Sequence, residues 1–177
     1  MDGNLTPHDL DALLSELAHR LQQSDVAAGI RVVGGSAIAL MNDQRRATRD
    51  IDAALHPADV VKATAADIAL TRGLPVDWLN DAALAYIPPV GAEDWIEVVC
   101  EGSVTISIGS PQVLLAMKLH ANRGRRDADD IDYLLGVCGV TTVQDAQEIY
   151  ERYHAQDVLT EAAVARIEHW LGRREMS

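Results

Sequence analysis

The chain has 177 residues, and 15 Lys and Arg against 27 Asp and Glu give it a formal net charge of −12 at pH 7. This acidity excludes a long nucleic-acid duplex held by a generally basic surface, so a nucleic-acid partner would be contacted only locally. No apolar run approaches the ~18 residues of a membrane span, and the first residues lack a signal-peptide pattern, so we expect a cytoplasmic protein.

Residues 1–109 predict a mixture of helices and strands. Apolar periodicity and cap residues predict helices over residues 7–23, 37–41 and 57–72, with a helical turn over 80–85. Alternating apolar segments between turn residues predict strands over residues 30–33, 50–55, 75–79, 95–100 and 104–108. The last two strands flank Glu101-Gly102-Ser103 and should form a hairpin.

Residues 110–177 predict helices alone. These cover residues 113–122, 127–137, 143–153 and 161–174, with Thr141 or Thr142 and Thr160 as candidate N-caps. The sequence therefore predicts an α+β fold. We expect a small mixed β-sheet core flanked by helices over residues 1–109 and a helical C-terminal part over 110–177 packed on that core.

The residues most suited to chemistry are Gly34-Gly35-Ser36 and, thirteen residues later, Asp50-Ile51-Asp52. Side chains alternate along a strand, so Asp50 and Asp52 should project from one face, ~7 Å apart. Two such carboxylates repel each other unless a cation lies between them, and hard oxygen ligands suit Mg²⁺. A Gly-Gly-Ser turn at the start of a helix lets backbone N–H groups and a hydroxyl approach a phosphate. The alternative is a plain turn and a solvated strand end.

The segments 33–37 and 46–52 together resemble the signature of the nucleotidyltransferase superfamily that includes DNA polymerase beta, in particular small bacterial AbiE-type and MenT-type toxins. A second segment, 115–131, is similar to the Lys, Arg-Asp and Asp pattern that those toxin-like proteins carry on consecutive helices. The resemblance spans roughly residues 30–135. Two motifs in the right order are more specific than one.

The resemblance implies a role for each matching residue. It assigns the divalent metal to Asp50 and Asp52, and the catalytic site to these two acids with Lys118, Asp127 and Asp130. It assigns the nucleotide phosphates to Gly34, Gly35, Ser36, Arg46, Thr48, Lys118, Arg123 and Arg126. This division fits nucleotidyl transfer, which depends mainly on positioning and on neutralising the negative charge of the transition state.

A third metal carboxylate is expected by resemblance on a later strand, and two acids fit. Asp77 follows Val76 and precedes Trp78, whereas Glu97 lies between Ile96 and Val98. We prefer Asp77 as the third metal ligand because the segment 75–80 resembles a segment of the toxin-like group.

Plainer interpretations exist for several of these residues. Lys118 could extend to solvent from an amphipathic helix, and Asp127 and Asp130 could simply be first-turn acids of a helix. The arginines Arg45, Arg46 and Arg49 are either a solvated loop or a substrate contact. The six histidines show no metal-ligand spacing, so we expect most of them at the surface.

The leading hypothesis is an Mg²⁺-dependent nucleotidyltransferase that moves NMP from an NTP, such as ATP, to an acceptor. By resemblance it would be the toxin of a toxin–antitoxin pair, with a cognate antitoxin protein as partner and an RNA such as a tRNA 3′ end as acceptor. One alternative is transfer to a small molecule such as an aminoglycoside-like antibiotic, which the acidic surface favours because it attracts cations. The other is a non-catalytic binding module with the same fold.

Overall fold

The computed structural model describes residues 4–42 and 47–175, and the chain divides into two compact units. Unit 1 is drawn from residues 1–87 and 95–109, and unit 2 from residues 88–94 and 110–177. Unit 1 contains a mixed β-sheet with helices, and the described part of unit 2 is helical. The predicted α+β fold is confirmed.

Unit 1 is built on a five-stranded sheet with the order β3-β2-β1-β5-β4. Its strands are β1 (Ala28–Val33), β2 (Ile51–His56), β3 (Leu79–Asn80), β4 (Trp95–Glu101) and β5 (Val104–Gly109). Its helices are α1 (Pro7–Gln23), α2 (Gly34–Met41) and α3 (Ala58–Arg72). The central strand β1 pairs with β2 in antiparallel and with β5 in parallel fashion, while β3 runs parallel to β2.

The elements of unit 1 form for local reasons. Thr6 and Asp9 cap each other at the start of α1, and leucines at helical spacing bury one face of that helix. Ile51 and Ala53 of β2 are fully buried, while Asp52 between them is half-buried on the opposite face of the strand. The alternation therefore turns the carboxylate away from the core.

The predicted strand over residues 75–79 is wrong for most of its length. The Trp78 N–H donates to the Pro75 carbonyl at 3.1 Å, so these residues form a turn, and β3 begins only at Leu79. The predicted helical turn over 80–85 is a short 3₁₀ helix at Leu84–Tyr86.

Unit 2 contains the helices α4 (Pro111–Ala121), α5 (Ala128–Val137), α6 (Val143–Tyr153) and α7 (Glu161–Glu175), with 3₁₀ turns at Ala92–Asp94 and Gly124–Arg126. Thr142 caps α6 in a reciprocal capping box with Asp145, and the Thr160 hydroxyl accepts from the Ala163 N–H at 3.2 Å. Buried Asp94 accepts a 2.6 Å hydrogen bond from the Tyr153 hydroxyl, which fastens residues 88–94 to α6.

Among residues 4–42 and 47–175, no helix is both long enough and apolar enough to cross a bilayer.

Candidate active site

The Gly34 turn and the Asp52 carboxylate lie directly against each other in unit 1. Antiparallel pairing of β1 and β2 places Val33 opposite Asp52, and Gly34 follows Val33 with a φ of +68°. A Cβ atom at Gly34 would lie 3.2 Å from Oδ2 of Asp52. Only glycine adopts this conformation readily, and its missing side chain leaves room for the carboxylate at the N-terminus of α2.

Gly35 and Ser36 lie in the first turn of α2, as the predicted phosphate-binding turn requires. Ser36 is buried, with 1% of its surface exposed, and its hydroxyl donates to the Val33 carbonyl at 3.1 Å. The hydroxyl thus holds the turn between β1 and α2 in shape. Its predicted contact with a phosphate stays a prediction.

Asn80 is the side chain that the structure brings to Asp50 and Asp52. Parallel pairing of β2 and β3 places Asn80 in register with Asp52, and its Nδ2 lies 3.3 Å from Oδ2 of Asp50. The Asn80 Oδ1 accepts from the Ala82 N–H at 2.9 Å, which fixes the orientation of the amide. Asn80 therefore presents a hydrogen-bond donor to Asp50.

The two acids expected to provide a third metal ligand lie elsewhere in unit 1. Asp77 is exposed in the turn before β3, and the structure does not place it in register with Asp52. Glu97 is exposed on β4, which the strands β1 and β5 separate from β2 by about 14 Å. Among residues 4–42 and 47–175, no His, Cys, Asp or Glu joins Asp50 and Asp52 to form a metal-sized group of three.

The remaining donor set fits Mg²⁺. Asp50 and Asp52 are both half-buried and offer hard carboxylate oxygens, one of them at the helix N-terminus where a phosphate is also favoured. Mg²⁺ is commonly held by one or two carboxylates while substrate phosphates and waters complete its shell. Two acids without a third are therefore sufficient for a metal that arrives with a nucleotide.

The predicted catalytic residues of unit 2 form a buried ion-pair cluster. Lys118 is 7% exposed, and its Nζ lies 2.8 Å from Oδ1 of Asp127 and 2.8 Å from Oδ2 of Asp130. Arg123 donates to Asp127 from its backbone N–H at 2.9 Å and from Nε at 3.0 Å. Lys118 therefore does not extend to solvent, and the structure gives Asp127 and Asp130 a common cationic partner.

The electrostatics of this cluster favour its charged form. Burial by itself would raise the pKa of Asp127, which is fully buried, but hydrogen bonds from Arg123 and Lys118 outweigh that effect. The pKa of Asp127 consequently lies well below its ordinary value. Asp127 is ionised at neutral pH and accepts hydrogen bonds from both cations.

The other predicted nucleotide-binding residues have varied surroundings. Thr48 lies beside the acids, because its hydroxyl donates to the Asp50 carbonyl at 3.3 Å and its backbone pairs with that of Leu5. Arg126 is exposed in a 3₁₀ turn of unit 2. Arg46, with Arg45, lies outside the described residues.

Asn80 is the residue of this site that sequence reasoning missed. It ends the segment 75–80, which carried the expected third acid, but its register with Asp52 depends on strand pairing. The only signal in the sequence was its place at the end of an apolar stretch that includes Trp78 and Leu79.

A family model described as a nucleotidyltransferase of unknown function (DUF6036) matches residues 8–168. This range includes the candidate site of unit 1 and the ion-pair cluster of unit 2. No match was found among curated proteins or among solved structures.

Proposed function

This chain belongs to that family of nucleotidyltransferases, and from its membership we propose that it moves a nucleoside monophosphate from an NTP to an acceptor, using Mg²⁺ held by Asp50 and Asp52. One observation carries the proposal. The Asp52 carboxylate lies against the Gly34 turn at the start of α2, so a metal ligand and a phosphate-binding helix end are adjacent within one unit.

The residues of unit 1 have separate roles in this reaction. The Gly34 turn and the first N–H groups of α2 bind the triphosphate, and Asp50 and Asp52 hold the metal beside it. Bound Mg²⁺ would neutralise charge on the phosphate oxygens. Asn80 keeps the Asp50 carboxylate in position through its fixed amide.

The chemical step is an in-line substitution at the α-phosphorus. An acceptor hydroxyl oxygen forms a bond to phosphorus while the bond from phosphorus to the departing pyrophosphate breaks. We assign the hydroxyl proton to the carboxylate pair, which is the basic group of this site. The products are the nucleotidylated acceptor and pyrophosphate.

An RNA end is the acceptor that we favour, with the protein acting as the toxin of a toxin–antitoxin pair. The resemblance of segments 33–52 and 115–131 to AbiE-type and MenT-type toxins supports this choice. A net charge of −12 is compatible with contact at an RNA end, because such a contact needs only a local cationic surface. A cognate antitoxin protein would be the partner that restrains the activity.

A small cationic molecule is the second candidate acceptor. The same net charge of −12 would attract an aminoglycoside-like compound and repel a polyanion. Only the acceptor differs between the two candidates, since both use Asp50 and Asp52 in the same way.

A transfer assay separates these possibilities. The protein is incubated with Mg²⁺ and each of the four NTPs labelled at the α-phosphate, together with total RNA or with an aminoglycoside. We expect label on RNA with the parent protein, and a loss of at least a hundredfold when Asp50 and Asp52 are both replaced by alanine.

Asp77→Ala and Glu97→Ala are matched controls, because both acids are exposed and neither lies in register with Asp52. They should retain most of the activity. Label on the aminoglycoside alone would favour the second acceptor. Absence of transfer to RNA, protein and small acceptors with all four nucleotides would overturn the enzymatic proposal in favour of a binding module.

A further inference from the structure

Three side chains that commonly bind transition metals meet within unit 2. His120 lies near the end of α4, His154 caps the C-terminus of α6, and Asp157 follows in the next turn. One ligand atom from each residue lies within 4.8 Å of the other two. The rings of His120 and His154 are nearly parallel, with centroids 4.5 Å apart.

His154 contributes a nitrogen that is buried without a partner. Its Nε2 is inaccessible to solvent and has no hydrogen-bond partner among the described residues. Burying an unsatisfied polar atom costs free energy, so such an atom in a folded protein requires an explanation. A ligand for this nitrogen would supply one.

The pKa of His154 favours the metal-binding form of its ring. Burial lowers the pKa of His154, and the neighbouring His120 lowers it further, against an opposing effect of Asp157. An uncharged imidazole is the form that binds metals.

His120 is oriented by a tyrosine. Its Nδ1 lies 2.9 Å from the hydroxyl of Tyr150, which is buried on α6. If Nδ1 carries the proton and donates it to this oxygen, Nε2 of His120 presents its lone pair. Metal-binding histidines are typically held in this way by a hydrogen bond at the other ring nitrogen.

We propose that His120, His154 and Asp157 form a binding site for a Zn²⁺-type transition-metal ion. Two imidazoles and one carboxylate match the ligands that zinc prefers, whereas Mg²⁺ prefers oxygen ligands alone. A water molecule takes the fourth position, because His120 and Asp157 are both exposed. Ligand atoms around a tetrahedral ion lie about 3.4 Å from one another. The exposed side chains of His120 and Asp157 can rotate to bring their ligand atoms to this spacing.

The site has a structural consequence for unit 2. A bound ion links the C-terminal end of α4 to the C-terminus of α6 and to the turn that leads towards α7. Because the folded chain assembles these ligands and the unfolded chain does not, the ion stabilises the native state.

The test uses the full chain, purified without metal and titrated with Zn²⁺ in competition with a chromophoric chelator. We expect one equivalent to bind tightly and to raise the melting temperature. Replacing Zn²⁺ by Co²⁺ should give the visible absorption of a tetrahedral site. His120→Ala and Asp157→Asn each alter an exposed side chain, so both variants should fold, and each should weaken Zn²⁺ binding at least tenfold.

His169→Ala is the matched control, since His169 is an exposed histidine on α7 outside the cluster. The parent affinity should persist in His169→Ala and in the Asp50→Ala, Asp52→Ala double variant. The latter result separates this site from the proposed nucleotidyl-transfer site, so either proposal can fail without the other. Failure of the parent to bind Zn²⁺, or equal affinity in His120→Ala and His169→Ala, would refute the metal site.

Discussion

The side-chain amide of Asn80 in β3 donates to the carboxylate of Asp50, the residue before β2, with 3.3 Å between Nδ2 and Oδ2. The Ala82 N–H holds the amide oxygen, so the amide cannot turn that oxygen towards a metal without losing a hydrogen bond. A neutral donor therefore lies beside the two acids, whereas the resemblance implied a third carboxylate, with Asp77 or Glu97 as the candidates. The proposed metal site has two negative charges, and Asn80 acts as a positioning residue for one of them.

Asn80→Asp should strengthen binding of a divalent cation, because it adds a third carboxylate beside Asp52. We expect about tenfold tighter Mn²⁺ binding, equivalent to roughly 1.4 kcal/mol, measured by electron paramagnetic resonance of free Mn²⁺. Asn80→Ala should weaken it by leaving Asp50 without its donor. Asp77→Asn, which alters an exposed acid in the neighbouring turn, is the control. Unchanged Mn²⁺ affinity in both Asn80 variants would contradict a metal site at Asp50 and Asp52.

Gly34→Ala should damage transfer more than it damages folding. The substitution places a Cβ in a left-handed backbone conformation and crowds the Asp52 carboxylate. We expect a loss of about 1–2 kcal/mol in the free energy of unfolding, measured in urea, and a much larger relative loss of label transfer. Gly73→Ala is a well-matched control, since Gly73 has a φ of +67° but no atom within 4 Å of an added Cβ. Equal activity in the two variants would show that the Gly34 contact does not matter.

Lys118→Met should destabilise the protein strongly, because it leaves Asp127 and Asp130 buried without their shared cation. Breaking a buried ion pair from one side typically costs about 3–5 kcal/mol, which urea unfolding measures. Adding Asp127→Asn to Lys118→Met should recover part of this loss, and the double-mutant cycle gives their coupling. Additive effects would exclude a strong interaction between the two side chains.

Acid should weaken the cap of α6 in a defined pH range. Hydrogen bonds from the backbone and hydroxyl of Thr141 and from the hydroxyl of Thr142 lower the pKa of Asp145 from 3.8 to about 2. Because the pKa is lower in the folded state, the stabilisation is fully present above pH 3.8 and is lost as the pH falls through about 2. Asp145→Asn should therefore be less stable than the parent at pH 7, and the difference should shrink towards pH 2.

The control for this titration is Asp59→Asn, which removes a first-turn acid of α3 where no side chain caps the helix. Thermal unfolding across the pH series measures both variants. A stability difference for Asp145→Asn that does not change with pH would refute the role of the ionised cap.

Sequence patterns located the helices and most strands because one face of each element is buried at a regular interval. The α1 leucines and the alternation of Ile51, Asp52 and Ala53 are examples. Asp50 lies just before β2, so the expectation that it shares a strand face with Asp52 stays a prediction. The position of Asn80 was not predictable, because a two-residue strand has too little pattern to reveal its partner or register. His120 and His154 were missed for a similar reason: the packing of α4 against α6, not sequence spacing, brings them together.

The hydrogen bond between Asp94 and Tyr153 has a practical consequence for dissecting this protein. Residues 88–94 belong to unit 2 although they lie between strands of unit 1, so the chain passes between the units three times. A fragment ending at Gly109 would retain Asp94 but lose the tyrosine that binds it. Truncation at this point would leave residues 88–94 on the unit 1 fragment and absent from the unit 2 fragment. Separating the two units therefore requires a rearranged chain in which residues 88–94 are joined to residues 110–177.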